Sequence, residues 1–324
     1  MFLHDVDYSK LLDLTVDFAF KLYFGSNDQR WLISLLNAIN ANKGIPREVT
    51  ALTITNPEIG RKSKKDKLSE LDIRAKLANG SEVCIEMHMY DFEELKLKVV
   101  RNWARVYGDA LKAGERYIQS KPTIFISFIK DAILDNEGSP INKIHSLFYI
   151  SERDDHNLLT SNLELHFINM KAFITALCQH KAECAEIESE EFKRWLAIIT
   201  HASISDKSIL SSMYKKDNQM TEAMEVLAML SLNKKNRQAY QRRLDELRSF
   251  NNIAAERDAS LVAQAEKDAI IAEKDSIIAK KDTEIDDAKS QNEVLHTVIA
   301  EKDTALSEKD TEIALLRAKL NDKS

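Results

Sequence analysis

The stretch at residues 71–90, LDIRAKLANGSEVCIEMHMY, decides the fold of this protein, because it has the pattern of two half-buried strands around a turn. Apolar and polar residues alternate on both sides of Asn79-Gly80. A period of two is typical of β-strands with one buried face. Asn-Gly between two such runs is a strong signal for a β-hairpin, so the sequence predicts a hairpin here.

The length of the loop sets the register of this hairpin. A two-residue loop, Asn79-Gly80, would mix apolar and polar side chains on each face. A three-residue loop that begins at Ala78 instead pairs Leu77 with Ser81 and separates the faces. Because a one-residue slip inverts every side chain, we predict the three-residue loop, with Gly80 in the left-handed conformation. The apolar face then consists of Leu71, Ile73, Ala75, Leu77, Val83, Ile85 and Met87.

The opposite face of the hairpin brings two carboxylates together. The predicted register places Asp72 opposite Glu86, and like charges in this position destabilise a sheet by roughly 0.2–1 kcal/mol. A divalent cation would remove the repulsion, because hard cations such as Mg²⁺ take carboxylate oxygens as ligands. The residues alone leave a second interpretation open, a solvated polar face on which the two carboxylates lean apart.

Length, composition and charge limit the class of protein. A chain of 324 residues predicts about two domains. Hydrophobic residues make up 44% and charged residues 30%, which is ordinary for a soluble protein with a sizeable core. The 7 glycines and 4 prolines leave few turns, so much of the chain should be helical. The net charge of −6 argues against a uniformly basic surface but not against a local basic patch.

Signals for secretion, membrane insertion and disulfide bonds are missing from the sequence. The N-terminal residues, MFLHDVDYSK, are acidic and lack the apolar segment of a signal peptide. No run approaches 18 apolar residues, so no membrane span is predicted. The three cysteines lack CxxC spacing and indicate neither a disulfide framework nor a zinc site. We expect a cytoplasmic protein.

The predicted elements follow one another as in an α/β unit with a mixed sheet. In chain order they are a helix over residues 11–42 with a break at 25–27, a strand at 49–56, a loop at 57–70, the hairpin, a helix at 92–120, a buried central strand at 122–129, and strands at 146–150 and 163–168. Beyond residue 170 the pattern predicts helices as far as about residue 249.

Basic residues lie at several points along these elements. A charge run of this kind is usually a solvated loop, but beside a carboxylate pair it could hold phosphates, since Lys and Arg supply the sequence-independent part of nucleic-acid affinity. The candidate nucleic-acid-binding residues are Lys62, Lys64, Lys65 and Lys67 of the loop, with Lys21 and Arg101 on the helices.

The tail, residues 256–320, is a heptad array without glycine or proline. Every seventh position from 271 to 320 reads Ile, Ile, Ile, Asn, Ile, Leu, Ile, Leu, which is the signature of a coiled coil. Asn292 is the kind of polar seam residue that selects register and oligomeric state. The companion seam is weakened by four lysines. The pattern predicts a modest parallel coiled coil, hence a homo-oligomer, or a long single helix.

Residues from about 17 to 254 resemble the bacterial PD-(D/E)XK nuclease family transposases, also called recombination-promoting nucleases. The order of several short motifs over most of the chain carries the resemblance. They are DFAFKLYFG at 17–25, LLNAI at 35–39, LDI at 71–73, IEM at 85–87, the series Tyr107, Gly114 and Tyr117, KPTIFISFI at 121–129, LHFINMKAF at 165–173 and NRQAYQRRLDE at 236–246.

The resemblance implies a restriction-endonuclease-like core and cleavage of DNA that depends on Mg²⁺ or Mn²⁺. Carried over residue by residue, it makes Asp72 and Glu86 the metal-binding carboxylates and gives Asp17 a supporting role. His88 stands where the family usually has Gln or Lys. The implied function is endonucleolytic hydrolysis in recombination or in the processing of mobile-element or phage-related DNA. Because of His88, the alternative is a catalytically weak or inactive DNA-binding or interaction protein, oligomerised by its tail.

Pattern and resemblance together predict three parts of the chain. Residues 1–169 would form the nuclease-like α/β domain, residues 170–255 a helical region, and residues 256–324 the coiled-coil tail.

Overall fold

The structure is a computed structural model. It describes residues 7–26, 28–55, 58–59, 69–70, 72–88, 94–111, 113–179, 187–214 and 217–321. The chain divides into two compact units, Met1–Glu246 and Leu247–Ser324. All of the strands lie in the first unit.

A mixed sheet of six strands forms the centre of the first unit among the described residues. Its strands are β1 (Leu52–Ile54), β4 (Ile73–Leu77), β5 (Glu82–His88), β6 (Thr123–Ile129), β7 (His145–Ser151) and β8 (Leu158–Asn169). They lie in the order β1-β4-β5-β6-β8-β7. The pairs β5–β6 and β6–β8 are parallel and the others antiparallel. A separate antiparallel pair is formed by β2 (Glu58–Ile59) and β3 (Ser69–Glu70). The prediction of an α/β protein with a mixed sheet is confirmed.

The hairpin of β4 and β5 has the predicted register. Ile73 pairs with Ile85 and Lys76 with Glu82. The N–H of Leu77 donates to the carbonyl of Ser81 at 2.9 Å, which closes a three-residue loop. Gly80 has a φ of +88°, the left-handed region that glycine enters without steric cost. The separation of apolar and polar side chains was therefore sufficient to identify the loop length.

The end of the polar face that carries Asp72 and Glu86 is largely buried, so the interpretation of a solvated face is wrong for these carboxylates, whereas Lys76 near the loop is exposed. Strand β5 lies between β4 and β6, and helix α3 (Leu95–Asp109) packs over the polar side chains of β5. Cys84 belongs to a buried cluster with Val99 and Phe125, and Glu86 is buried on the same face. A strand that is covered on both faces places any polar side chain in the interior, whatever its alternation indicates.

The other face of the sheet packs on helices from both halves of the first unit. They include α1 (Asp17–Phe24) and α5 (Glu190–Ile199), and α2 (Arg30–Ala41) packs against α5. The ring of Phe20 lies 5.6 Å from that of Phe128, and the ring of Phe24 lies 5.5 Å from that of Trp195. The indole N–H of Trp195 donates to Ser34 at 2.9 Å. These aromatic contacts connect α1 and α5 with the centre of the sheet.

Several boundaries of the predicted elements need correction. The predicted helix over residues 11–42 begins only at Asp17, although its break after Phe24 is confirmed. The strand predicted at 49–56 is limited to Leu52–Ile54. Helix α3 ends at Asp109 rather than near residue 120. It ends close to Gly108, and glycine costs a helix about 1 kcal/mol relative to alanine.

Helices follow the sheet as predicted, with two differences. They are α4 (Met170–Gln179), α5, α6 (Lys207–Tyr214), α7 (Asn218–Leu232) and α8 (Lys234–Asn321). Helix α6 was not predicted, and the helix expected near residues 234–249 continues into the heptad array as one element. No glycine or proline interrupts this stretch, which explains its continuity. The coiled coil itself stays a prediction. Among the described helices, none has the length and apolar character needed to cross a membrane.

Candidate active site

Asp72 lies directly before β4 and is held by the neighbouring strand. Its Oδ2 accepts a hydrogen bond from the backbone N–H of Met87 at 2.5 Å. Its Oδ1 lies 3.6 Å from Nζ of Lys21 on α1. The short hairpin loop fixes the position of this carboxylate, because the register aligns Asp72 with the end of β5.

The surroundings of Asp72 disfavour its charged form. Burial raises the pKa of this carboxyl to about 6, and the negative charges of Asp17 and Glu86 add to the rise. The hydrogen bond from Met87 and the positive charge of Lys21 act in the opposite direction. A buried carboxylate close to other acids is stabilised by any additional cation that reaches it.

Glu86, in the middle of β5, is contacted at both carboxylate oxygens. Its Oε1 accepts a hydrogen bond from Nδ2 of Asn102 at 3.2 Å. Its Oε2 lies 2.9 Å from Nε2 of His88 and 3.5 Å from Nζ of Lys98. Burial alone would raise the pKa of Glu86, but the contacts with His88 and Lys98 outweigh burial and lower the pKa below its ordinary value.

Two buried polar atoms of this group lack a regular hydrogen bond. Oε2 of Glu86 lies 2.9 Å from Nε2 of His88 and 3.5 Å from Nζ of Lys98, but neither Oε2 nor Nε2 makes a regular hydrogen bond. Buried polar atoms are nearly always hydrogen-bonded, and exceptions call for an explanation such as an ion or a water. An additional ligand at this point would satisfy both atoms.

Asp17 occupies the first turn of α1, four residues before Lys21. Its Oδ1 accepts a hydrogen bond from the N–H of Phe18 at 2.7 Å and another from Nε of Arg243 at 2.9 Å. Arg243 belongs to the beginning of α8, within the first unit. Asp17 is close enough to Asp72 to influence its pKa, while its own carboxylate is bound by Arg243.

The remaining predicted nucleic-acid-binding residues divide into two groups. Lys62, Lys64, Lys65 and Lys67 lie outside the described residues. Arg101 lies on an exposed part of α3, and Lys21 contacts Asp72 as described above.

Sequence reasoning missed Lys98 and Asn102 as part of this site. They lie four residues apart on α3, so both point from the same side of the helix. The only signal in the sequence is that spacing on a helix that follows the strand of Glu86. It does not show which side of the helix faces the strand.

Cys84 lies on the same strand as Glu86, two residues before it, and it is a core residue. Burial raises the pKa of its thiol far above the ordinary value. A thiol that stays protonated is a poor nucleophile. The position of Cys84 in the apolar cluster under α3 agrees with a packing role.

The two carboxylates of the site fit a hard divalent cation whose remaining ligands are waters and substrate phosphates. Among the described residues, no group of three or more His, Cys, Asp and Glu side chains is arranged to hold a metal. Mg²⁺ is typically bound through one or two carboxylates, with waters and substrate phosphates completing its coordination. Asp72 and Glu86 can supply those two carboxylates.

The mixed sheet and the paired acids of its β4–β5 hairpin define an α/β protein with a buried acidic site. Residues 14–256, well over half of the chain, match the family described as PD-(D/E)XK nuclease family transposase. The chain belongs to this family, and its function is therefore nuclease- or transposase-related. Comparison with curated proteins gave no match. Comparison with solved structures gave none either.

Proposed function

We propose that this protein is a metal-dependent DNA endonuclease that acts in recombination or in the processing of mobile-element or phage-related DNA. One observation carries the proposal: Asp72 and Glu86 come from paired strands and are both largely buried, within range of mutual repulsion. A cation bound by both carboxylates would remove the repulsion between them. Membership of a nuclease family makes DNA the expected substrate.

The cation would be Mg²⁺ or Mn²⁺, held by Asp72 and Glu86. When bound between carboxylates, such an ion activates water and neutralises charge on the phosphate. The fit rests on Oε2 of Glu86, which lacks a regular hydrogen bond, and on the raised pKa of Asp72, both of which a cation would compensate.

The chain's own residues orient the carboxylates and handle the proton. The backbone N–H of Met87 donates to one oxygen of Asp72, and the amide of Asn102 donates to one oxygen of Glu86. In hydrolysis the oxygen of water bonds to phosphorus while the bond from phosphorus to a sugar oxygen breaks. The proton of the attacking water passes to Nε2 of His88 and then to solvent. The departing sugar oxygen takes a proton from water. His88 also keeps Glu86 ionised.

The tail would assemble the protein as a homo-oligomer. Its seam positions are exposed along α8, and they are Ile271, Ile278, Ile285, Ile299, Leu306 and Ile313. An apolar residue at every seventh position needs a second helix to remove it from water. A parallel arrangement would bring two nuclease units to one DNA, which suits cleavage of both strands.

We retain the three functional parts expected from the sequence, with residues 1–169 as the nuclease-like domain, 170–255 as a helical region and 256–324 as the oligomerising tail. A bacterial nuclease that acts on DNA in the cell would work in the cytoplasm.

The proposal is tested by incubating supercoiled plasmid with the full-length protein, in Mg²⁺ or Mn²⁺ and in excess chelator. We expect nicked and linear DNA only with metal, and a rate at least about 100-fold lower for Asp72→Asn and Glu86→Gln, since removing one key charged group commonly costs two orders of magnitude. Glu82→Gln is the matched control, because Glu82 lies on the same strand and face but pairs with Arg74.

The outcomes separate the proposed functions. Equal cleavage by the wild type and by both variants would show that the site is misassigned. Binding of DNA without cleavage in either metal would favour the alternative, a DNA-binding protein oligomerised by its tail.

A further inference from the structure

Helix α3 contacts Glu86 through two side chains that lie one turn apart. Asn102 is fully buried and donates to Oε1. Lys98 places its Nζ 3.5 Å from Oε2. The two residues therefore contact different oxygens of Glu86. The neutral amide of Asn102 lies in the interior, and the charged ammonium group of Lys98 lies nearer to solvent.

Exposure distinguishes the basic groups around Glu86. The side chains of Glu86 and His88 are 3% and 5% exposed, whereas that of Lys98 is 46% exposed. A phosphate on a DNA strand approaches from solvent, so it meets the ammonium group of Lys98 before it can meet the imidazole of His88. Lys98 thus combines direct contact with the buried acid and access to a ligand.

Charge balance favours a cation beside each acid of the site. Two carboxylates and one phosphodiester carry three negative charges, and a divalent ion supplies only two positive ones. Lys21 offsets charge at Asp72, whereas a phosphate that approaches Glu86 is repelled less when a cation lies beside Glu86 itself. Lys98 is the lysine that already contacts Glu86.

On these grounds we infer that Lys98 is a substrate-contacting residue, which binds the DNA phosphate next to Glu86. The inference rests on the proposed function for the choice of DNA as ligand. The ammonium group donates hydrogen bonds to phosphate oxygens and takes no part in proton transfer. Lys98 would move from Glu86 to the phosphate when the DNA arrives.

The test measures binding of a fluorescent DNA duplex by the full-length protein in excess chelator, at several salt concentrations. We expect Lys98→Met to lower affinity about fivefold or more at moderate salt. The slope of log affinity against log salt should fall by about 0.9, the value for one lost phosphate contact. Lys98→Arg should restore both quantities. Lys96→Met is the control, because Lys96 lies on the same helix but donates to the carbonyls of Leu134 and Asp135.

Unchanged affinity and slope in Lys98→Met would overturn the inference. An equal loss in Lys96→Met would overturn it too, because it would show a general charge effect. Thermal unfolding identifies any variant that does not fold, and Lys98→Gln then replaces Lys98→Met in the same comparison. Because binding is measured without metal, the result for Lys98 is independent of metal-dependent cleavage. Either the inference about Lys98 or the proposed nuclease activity can fail without the other.

Discussion

Arg243 at the beginning of α8 binds Asp17 at the beginning of α1, with its Nε 2.9 Å from Oδ1 and 3.0 Å from Oδ2. One turn after Asp17, Lys21 contacts Asp72 of the candidate active site. The first turns of the long helix are thus connected to the site through a single short helix. We expect this ion pair to hold the beginning of α1, and with it Lys21, in place.

Replacing Arg243 with alanine should lower the free energy of unfolding by about 1 kcal/mol, because solvent screens a partly exposed ion pair. Arg242→Ala is the control, since Arg242 donates to the carbonyl of Gln238 within α8. Urea unfolding of Arg243→Ala, Asp17→Asn and the double variant gives the coupling energy. Additive losses, without coupling between the two sites, would contradict the pairing.

Gly80→Ala and Gly108→Ala should change stability in opposite directions. Alanine at a φ of +88° costs about 1–2 kcal/mol, because its Cβ is strained in the left-handed region. Gly108 lies in α3, and a Cβ there meets no atom within 4 Å, so alanine should stabilise the helix by about 0.5–1 kcal/mol. Thermal unfolding measures both. Stabilisation by Gly80→Ala would show that the loop differs from the three-residue form.

A buried polar chain on the opposite side of the sheet predicts sensitivity to acid. Oδ1 of Asn42 accepts from the N–H of Glu188 at 2.9 Å, so its Nδ2 must donate to Nδ1 of His145 at 3.0 Å. His145 therefore carries hydrogen on Nε2 and donates to Nδ1 of His166 at 2.9 Å. Both rings are neutral in this arrangement. Arg47 and Glu164 form an ion pair beside them.

Burial, with repulsion from His166, lowers the pKa of His145 to about 2, and burial lowers the pKa of His166 as well. Below about pH 6.5 these two histidines bind protons in the unfolded chain but stay neutral in the folded chain. The free energy of unfolding should therefore fall as pH drops below 6.5, by about 1.4 kcal/mol per pH unit for each histidine. His145→Gln, which keeps a donor and an acceptor, should reduce this slope in urea unfolding. His296→Gln, on the exposed surface of α8, should leave it unchanged, and a slope unaffected by His145→Gln would refute the account.

His88→Ala should reduce cleavage at least about tenfold while leaving metal-free DNA binding unchanged, because proton transfer to a positioned side chain contributes a factor of 100 or more. His88→Gln retains a polar group beside Glu86 and should lose less. Plasmid nicking rates and duplex binding provide the two measurements. Faster cleavage by His88→Gln than by the wild type would mean that His88 marks a degenerate site.

Truncation after Asn251 should lower the mass measured by light scattering, since it removes the heptad seam. Asn292→Ile should change the number of chains or their alignment without preventing assembly, because a seam asparagine selects register at a cost in stability. An unchanged mass after truncation would exclude assembly through the tail.

Periodicity was enough to place the hairpin and its register, since a one-residue slip would have exposed the whole apolar face. The position of Asp72 across from Glu86 followed from it, and so did the buried central strand β6. Boundaries were less predictable. Helix α1 begins at Asp17 and helix α3 ends at Asp109, where packing and local helix propensity balance. The amphipathic pattern in the sequence extends beyond both points.

The environment of the carboxylates depended on the fold. Alternation along β5 indicated a polar face toward water, but β6 on one side and α3 above enclose it. The contacts of Lys98 and Asn102 with Glu86 depend on how α3 rotates and docks, which long-range packing decides. The sequence thus specified which acids face each other. The tertiary structure determined their burial, their pKa values and which cationic side chain contacts them, because desolvation and electrostatic contact depend on neighbours distant in the chain.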